Sequence, residues 1–148
     1  DLHLSNNKIR FLKKKSFYLL KNLKLLSLIE NLIEIIDDES FCGLNKLIEL
    51  YLFKNRIKNV KTETFFGLSN LKKLDLRYNY IESIEENSFS SNKNIKELDL
   101  IGNLIKFIGR NAFYGTSIEL RYTFKNQHLE VLDECAFCGI QKSQISLE

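Results

Sequence analysis

The sequence of 148 residues contains no proline, methionine or tryptophan, and it has only three cysteines. Three cysteines are too few for the disulfide framework of a small secreted scaffold. No run of 18 apolar residues occurs, so we expect no membrane insertion within this segment. The charge is nearly balanced, with 22 basic and 19 acidic residues and a net charge of +3. This balance excludes a strongly basic nucleic-acid-binding protein and a strongly acidic tail.

A motif recurs every 24 residues without a gap. One column of the motif is leucine in five units and phenylalanine in the sixth: Leu4, Leu28, Leu52, Leu76, Leu100 and Phe124. Three residues later comes an amide side chain in every unit: Asn7, Asn31, Asn55, Asn79, Asn103 and Gln127. Each unit closes with a phenylalanine: Phe17, Phe41, Phe65, Phe89, Phe113 and Phe137. Such internal repetition is typical of a solenoid.

Each unit begins with apolar residues that alternate with period two, which predicts a short, half-buried strand. Strands repeated at a fixed interval are expected to stack in parallel, about 4.8 Å apart. The asparagine lies in an apolar frame, so we expect it to hydrogen-bond the backbone of the turn and of the neighbouring unit. The second half of each unit is wider than its strand. The stack is therefore predicted to curve with the strands inside.

The motif L-x-x-L-x-L-x-x-N-x-I-x-x-I, followed by F-x-G-L, resembles the leucine-rich repeat. The third unit shows the motif in full: Leu47, Leu50, Leu52, Asn55, Ile57, Val60, Phe65, Gly67 and Leu68. The 24-residue length with phenylalanine is similar to the "typical" subfamily of Slit-like, Toll-like and glycoprotein-hormone-receptor-like ectodomains. The resemblance implies an α/β repeat solenoid, a curved leucine-rich repeat array. It also implies a parallel β-sheet on the concave face and an irregular or short helical convex side.

The resemblance extends from Asp1 to about Ile140. We expect residues 1–148 to form a single leucine-rich repeat domain of about six repeats. The chain starts in the middle of a repeat, like a fragment, and residues 141–148 are expected to begin a further repeat or a cap. Asn92, Thr116 and Gln127 depart from the repeat pattern.

Several positions predicted to face the concave side are apolar or aromatic, although polar residues are expected where a surface only meets water. Exposed apolar patches on soluble domains mark interaction sites, and aromatic residues and arginine are the usual anchors of binding energy. The predicted partner-binding residues are Leu25, Ile29, Tyr51, Phe53, Arg77, Tyr78 and Ile101. In the alternative interpretation, these side chains only pack on one another, or a flanking segment covers them.

Asp75 and Asp99 occupy the same position in neighbouring units, and a separation of about 5 Å suits a retaining glycosidase. An open curved sheet supplies no closed pocket that would shift the pKa of a carboxyl group. We therefore predict a protein that is not an enzyme and needs no cofactor. The alternation of Glu49, Lys73, Glu97 and Arg121 instead predicts charge pairing across the strands.

The first 24 residues hold seven basic residues and one acid, including the run Lys13–Lys15. This surface is a possible site for a polyanion such as a sulfated glycan, and a solvated turn is the alternative. Aromatic residues are not interleaved with the basic ones, so no nucleic-acid partner is predicted.

The cysteines do not indicate a metal site. Cys135, Cys138 and His128 offer three zinc ligands without an evident fourth. Cys42 and Cys138 lie four units apart, about 19 Å along the stack, which is too far for a disulfide. We expect Cys135 or Cys138 to pair with a cysteine of a cap beyond residue 148.

The predicted function is therefore non-catalytic binding of a protein or peptide ligand on the concave surface. The resemblance implies an extracellular or cell-surface ectodomain of a receptor, adhesion or signalling protein. The alternative is an intracellular, cytoplasmic leucine-rich repeat scaffold that mediates protein–protein interactions. A disulfide that involves Cys135 or Cys138 favours the extracellular setting.

Overall fold

Short strands alternate between the two sides of the repeat stack. The computed structural model describes residues 1–118 and 128–140. Within these residues the strands are β1 (Leu2–His3), β2 (Phe11–Leu12), β3 (Leu25–Ser27), β4 (Ile35–Ile36), β5 (Glu49–Tyr51), β6 (Asn59–Val60), β7 (Lys73–Asp75), β8 (Ser83–Ile84), β9 (Glu97–Asp99), β10 (Phe107–Ile108) and β11 (Val131–Leu132). The predicted first strand of the sixth repeat, with Phe124 and Gln127, lies outside the described residues, as does segment 141–148.

The odd-numbered strands β1, β3, β5, β7 and β9 form one parallel sheet in chain order. Every residue of this sheet pairs with the residue 24 positions further on, as Leu26 pairs with Leu50 and Leu50 with Leu74. The predicted strand, its parallel stacking and its register are confirmed. This sheet is the concave face of the solenoid, and β11 joins the outer side.

The outer side is also built from short parallel strands joined by tight turns, and of the expected irregular or short helical convex side the described residues show no helix. Strands β2 and β4 pair with each other, and β6, β8, β10 and β11 form a second outer sheet. Between the strands, tight turns are closed by hydrogen bonds such as Cys42 N–H to Glu39 C=O at 3.0 Å. Glu39 and Gly43 have positive φ values of 58° and 95°, which prevents these turns from continuing as a helix. No helix in the described ranges is long and apolar enough to cross a membrane.

The outer ladder is interrupted between β4 and β6. In the neighbouring repeats an outer N–H, such as that of Asp37 or Glu85, donates to a carbonyl of the preceding repeat. The equivalent N–H of Lys61 donates instead to the Thr64 hydroxyl at 2.8 Å. A local side-chain hydrogen bond thus replaces a ladder bond. A cleft of about 330 Å³ lies at the interruption, with Ile36 and Asn59 in its walls.

The core between the two sides is a stack of phenylalanine rings surrounded by leucine and isoleucine. Consecutive rings from Phe17 to Phe137 lie 5.5–6.1 Å apart and nearly parallel, with interplanar angles of 5–17°. The repeats approach closely at this level. A Cβ atom on Gly43 would lie 2.4 Å from the carbonyl oxygen of Tyr18, so only glycine fits there. One repeat alone leaves its apolar face open, and stacking closes it.

From Asn31 to Asn103 the asparagine column is buried and bonded as predicted, whereas Asn7 in the first repeat is exposed. The Asn55 side chain accepts a hydrogen bond from Ile33 N–H at 3.0 Å and donates to the carbonyls of Leu28 and Leu52, both at 3.0 Å. Ile33 and Leu28 belong to the preceding repeat, so one amide ties two repeats together. Asn31, Asn79 and Asn103 make the same bonds.

Cys135 and Cys138 are bonded to each other, with their Cα atoms 4.7 Å apart. The expectation that one of them pairs with a cysteine of a cap is therefore wrong, because each is the other's partner across a single tight turn. Cys42 is a free, half-buried thiol in the second repeat.

We expect Asn55→Ala to lower the free energy of unfolding by about 2–4 kcal/mol, because the buried Ile33 N–H loses its partner and the carbonyls of Leu28 and Leu52 each lose one of two amide donors. Urea denaturation followed by circular dichroism measures the loss. Asn7→Ala is the matched control, since Asn7 bonds only exposed carbonyls of its own repeat. Equal losses for the two variants would contradict the role assigned to the buried amides.

Candidate functional site

The chain turns sharply directly after each concave strand, and this turn positions the predicted binding residues. Tyr78 has a positive φ of 53°. Asn6, Glu30, Lys54 and Gly102, at the same place in other repeats, also have positive φ. The conformation therefore belongs to the repeat and is not a strain confined to the site. The turn directs the Tyr78 side chain across the sheet toward the next repeat.

Phe53, Arg77 and Tyr78 meet on the concave face, and we call them the aromatic–arginine cluster. The rings of Phe53 and Tyr78 lie edge to face, 5.6 Å between centroids and 88° between planes. The guanidinium carbon of Arg77 lies 5.2 Å from the Phe53 centroid, and the Lys54 ammonium lies 5.3 Å from it. Edge-to-face ring pairs and cations near a ring face are both attractive arrangements.

Gly102 makes room for Tyr78. A Cβ atom at Gly102 would lie 2.8 Å from the Tyr78 Cδ1 atom, so the ring rests directly on the glycine backbone. Tyr78 keeps 55% of its surface exposed in this position, and Ile101 beside Gly102 keeps 37%. The Tyr78 ring of the cluster is therefore exposed to solvent and at the same time contacts the backbone of the next repeat.

Two aspartates hold the arginine. Asp75 is only 4% exposed, and its carboxylate accepts from Arg77 Nε at 3.0 Å and from Nη2 at 2.7 Å. Asp99 lies 3.5 Å from Arg77 Nε. The hydrogen bonds from Arg77 to Asp75 raise the pKa of Arg77 above its ordinary value. The guanidinium is therefore charged and fixed in orientation.

A second charged row crosses the strands next to the cluster. Lys73 Nζ lies 2.9 Å from Glu97 Oε2, which confirms the cross-strand pairing predicted for these two residues. Arg121, the last member of that predicted alternation, lies outside the described residues. The Tyr51 hydroxyl donates to Glu49 Oε2 at 2.5 Å. This bond to a carboxylate, with burial and the negative charge of Glu49, raises the pKa of Tyr51.

The structure brings together three of the seven predicted binding residues, the members of the cluster. Tyr51 is turned toward Glu49. Leu25 in β3 and Ile29, two residues after the end of this strand, are half-buried. The sequence analysis did not single out Gly102 or Lys54. The 24-residue register signals both, because Lys54 and Gly102 stand one repeat before and one repeat after Tyr78.

The two aspartates considered as a glycosidase pair are both engaged by Arg77. Asp75 is paired with Arg77, and the neighbouring Lys73 is paired with Glu97. In the part of the chain that the structure describes, no three His, Cys, Asp or Glu side chains are grouped as metal ligands.

The basic first repeat is exposed on the outer side. Lys14 pairs with Glu39 at 3.0 Å, while Lys15 and Lys21 lie 5.5 and 5.9 Å from the centre of the Tyr18 ring. Part of the basic surface is therefore already engaged by the protein itself.

The parallel strands, the asparagine column and the phenylalanine stack together define a leucine-rich repeat solenoid. The family model "Leucine rich repeat" matches residues 1–57 and 47–105, and the chain belongs to this family. Among solved structures, a crystal structure of a TLR13–ssRNA13 complex, which contains a Toll-like receptor, is similar with a TM-score of 0.64. The two are 24% identical over 94% of this chain, which spans about a quarter (25%) of the receptor chain. No curated protein sequence matches the chain.

We expect Glu49→Gln to lower the pKa of Tyr51 toward the ordinary tyrosine value of 10.0, because the variant removes the negative charge that stabilises the protonated phenol. Ultraviolet difference absorbance during an alkaline titration follows tyrosine ionisation. Tyr51→Phe identifies the contribution of this residue, and Glu63→Gln, an exposed residue outside the concave sheet, is the control. An unchanged titration in Glu49→Gln would show that the bond does not control Tyr51.

Proposed function

We propose that this leucine-rich repeat domain binds a protein or peptide ligand on its concave face, with the aromatic–arginine cluster as the centre of the contact. The observation that carries the proposal is the Tyr78 ring, 55% exposed yet held by Phe53 and Gly102. A large ring that is already ordered loses little conformational entropy when a partner covers it. Leu25, Ile29, Tyr51 and Ile101 extend the proposed surface along neighbouring strands.

The position of the cluster within the repeat array favours the concave face over the first repeat as the ligand-binding surface. Repeats on both sides flank Phe53, Arg77 and Tyr78, so their exposure does not result from an end of the stack. Tyrosine and arginine are the residue types that most often dominate binding energy at protein interfaces. The structurally similar Toll-like receptor is bound to single-stranded RNA in its crystal structure. A protein or peptide suits the aromatic anchors of the present chain better than a phosphate backbone, which requires a basic groove.

We propose an extracellular or cell-surface setting for the domain, as part of a receptor, adhesion or signalling protein. The bond between Cys135 and Cys138 supports this setting, because disulfides persist in oxidising compartments and are rare in the cytosol. The second candidate, an intracellular scaffold of the same fold, requires both thiols to be reduced. Binding of a polyanion by the basic first repeat is a separate, subsidiary proposal.

Alkylation of the unfolded protein without reductant, followed by peptide mass spectrometry, tests the setting. We expect one modified cysteine, Cys42, and an unmodified, linked Cys135–Cys138 pair. Reductant before alkylation should expose all three thiols and serves as the control. Three free thiols in protein isolated from its native source would favour the intracellular scaffold.

The binding proposal is tested with peptides selected on the immobilised protein from a random library displayed on phage. We expect Phe53→Ala and Tyr78→Ala each to weaken the selected peptides about tenfold or more, since truncation removes a central aromatic anchor. Fluorescence polarisation of labelled peptides measures the affinity.

Phe66→Ala and Tyr114→Ala are matched controls, because these aromatic residues are similarly exposed and lie in the outer turns. Circular dichroism shows whether each variant is folded. Peptides that lose affinity equally with the outer-turn variants, or only with them, would refute the concave site.

A further inference from the structure

We infer that the concave face is built for a basic partner, and that lysine or arginine side chains of this partner bind the carboxylates of Asp99 and Glu97 beside Tyr78. This inference rests on the proposed function and specifies the chemistry of the ligand. It follows from the ion pairs of the central repeats, in which the carboxylates outnumber the cationic side chains.

The first observation is that one arginine serves two aspartates. Asp75 uses both oxygens on Arg77 and is buried, so its charge is satisfied inside the sheet. Asp99 Oδ1 accepts a hydrogen bond from Ile101 N–H at 3.0 Å, Asp99 Oδ2 lies 3.5 Å from Arg77 Nε, and the side chain is 38% exposed. The group of three therefore carries one net negative charge, and that charge lies on Asp99 at the surface.

The second observation is that one lysine serves two glutamates. Lys73 is paired with Glu97 at 2.9 Å, and its pKa is raised chiefly by that bond and also by the negative charge of Glu49. Glu97 keeps 68% of its side chain exposed. This group also carries one net negative charge, shared between Glu49, which accepts from the Tyr51 hydroxyl, and Glu97. Glu97 is the more exposed of the two carboxylates and lies two residues before Asp99 on β9.

The remaining pair on the central strands is neutral. Lys54 bonds Glu30 at 2.8 Å, so it is not available to offset the two excess charges. The concave positions of repeats two to five, as far as Gly102, thus hold five acidic and three basic residues, a net charge of −2: Glu30, Glu49, Asp75, Glu97, Asp99, Lys54, Lys73 and Arg77. The whole chain is +3. The concave positions of repeats two to five are therefore acidic, although the chain as a whole is basic.

Lys54, Lys73 and Arg77, the cations at these positions of repeats two to five, are each paired with a neighbouring carboxylate, so an anionic ligand meets no unpaired cation among them. A cationic ligand side chain, in contrast, meets the exposed carboxylates of Asp99 and Glu97 on one strand. The Tyr78 ring lies close by, because it rests on Gly102, three residues after Asp99. Opposite charge and a ring face together suit lysine or arginine. Charge complementarity of this kind selects partners and accelerates their encounter.

The test uses the phage-selected peptides as probes. We expect them to carry net positive charge and to bind more weakly as salt is raised. The double variant Asp99→Asn/Glu97→Gln should weaken them about tenfold, because it removes two exposed negative charges and thus the net charge of −2 without changing side-chain size. The matched control is Glu63→Gln/Glu82→Gln, which removes the same charge from exposed positions outside the concave sheet and should change affinity less than about twofold. When each lysine and arginine of a peptide is replaced by glutamine, the wild-type protein and the Asp99→Asn/Glu97→Gln variant should bind that peptide with the same affinity.

Two outcomes would overturn the inference. The first is that the selected peptides are neutral or acidic and are unaffected by Asp99→Asn/Glu97→Gln. The second is that the control double variant weakens them as much, which would assign the effect to the overall charge. In either case a continued loss with Phe53→Ala and Tyr78→Ala leaves the concave binding function standing. Peptides whose affinity is unchanged by Phe53→Ala and Tyr78→Ala would refute the proposed function instead.

Discussion

The hydrogen bonds of one buried asparagine per repeat are the constraint on which the rest of the molecule depends. After each concave strand the chain must turn inside an apolar core, where unpaired N–H and C=O groups are costly. Asn55 satisfies Ile33 N–H in the preceding repeat and carbonyls in both repeats with a single side chain. Because each amide reaches backward by one repeat, it also fixes the spacing between repeats. The strands then stack in register with leucine and phenylalanine behind them.

This register creates the candidate site, since it brings into contact residues that are about one period apart. Phe53 meets Arg77, 24 positions later, and Tyr78 meets Phe53 from the adjoining turn. No local segment contains the site, and no single repeat assembles it. The cluster is therefore as rigid as the stack itself, and a loss of register between repeats three and four separates its members.

The sequence pattern predicted the features that depend on position within the 24-residue repeat. It did not predict contacts in which a side chain has several possible partners. The strands, the buried asparagines and the phenylalanine stack all follow from position within the repeat. The conformation of the outer turns does not follow from the repeat pattern. Positive φ values at Glu39 and Gly43 prevent a helix there, and the hydrogen bond to Thr64 interrupts the outer strand ladder. The same holds for Lys73, whose neighbours include Glu49 and Glu97, and for the pairing of Cys135 with Cys138 across one turn. Contacts of this kind depend on rotamers that a repeat pattern does not encode.

The acidic excess of the concave face is informative because folding alone does not explain it. Asp75 and Asp99 stand directly opposite each other on neighbouring strands, and like charges in this arrangement destabilise a sheet. Arg77 relieves the repulsion for the buried Asp75, whereas Asp99 is more exposed and lies 3.5 Å from Arg77. Asp99 Oδ1 also accepts from Ile101 N–H at 3.0 Å, and an uncharged asparagine would keep this bond, remove the repulsion and leave Arg77 its stronger partner. The hydrogen bond to the turn thus explains a polar side chain at position 99, and the negative charge there is what the inferred cationic ligand beside Tyr78 would account for.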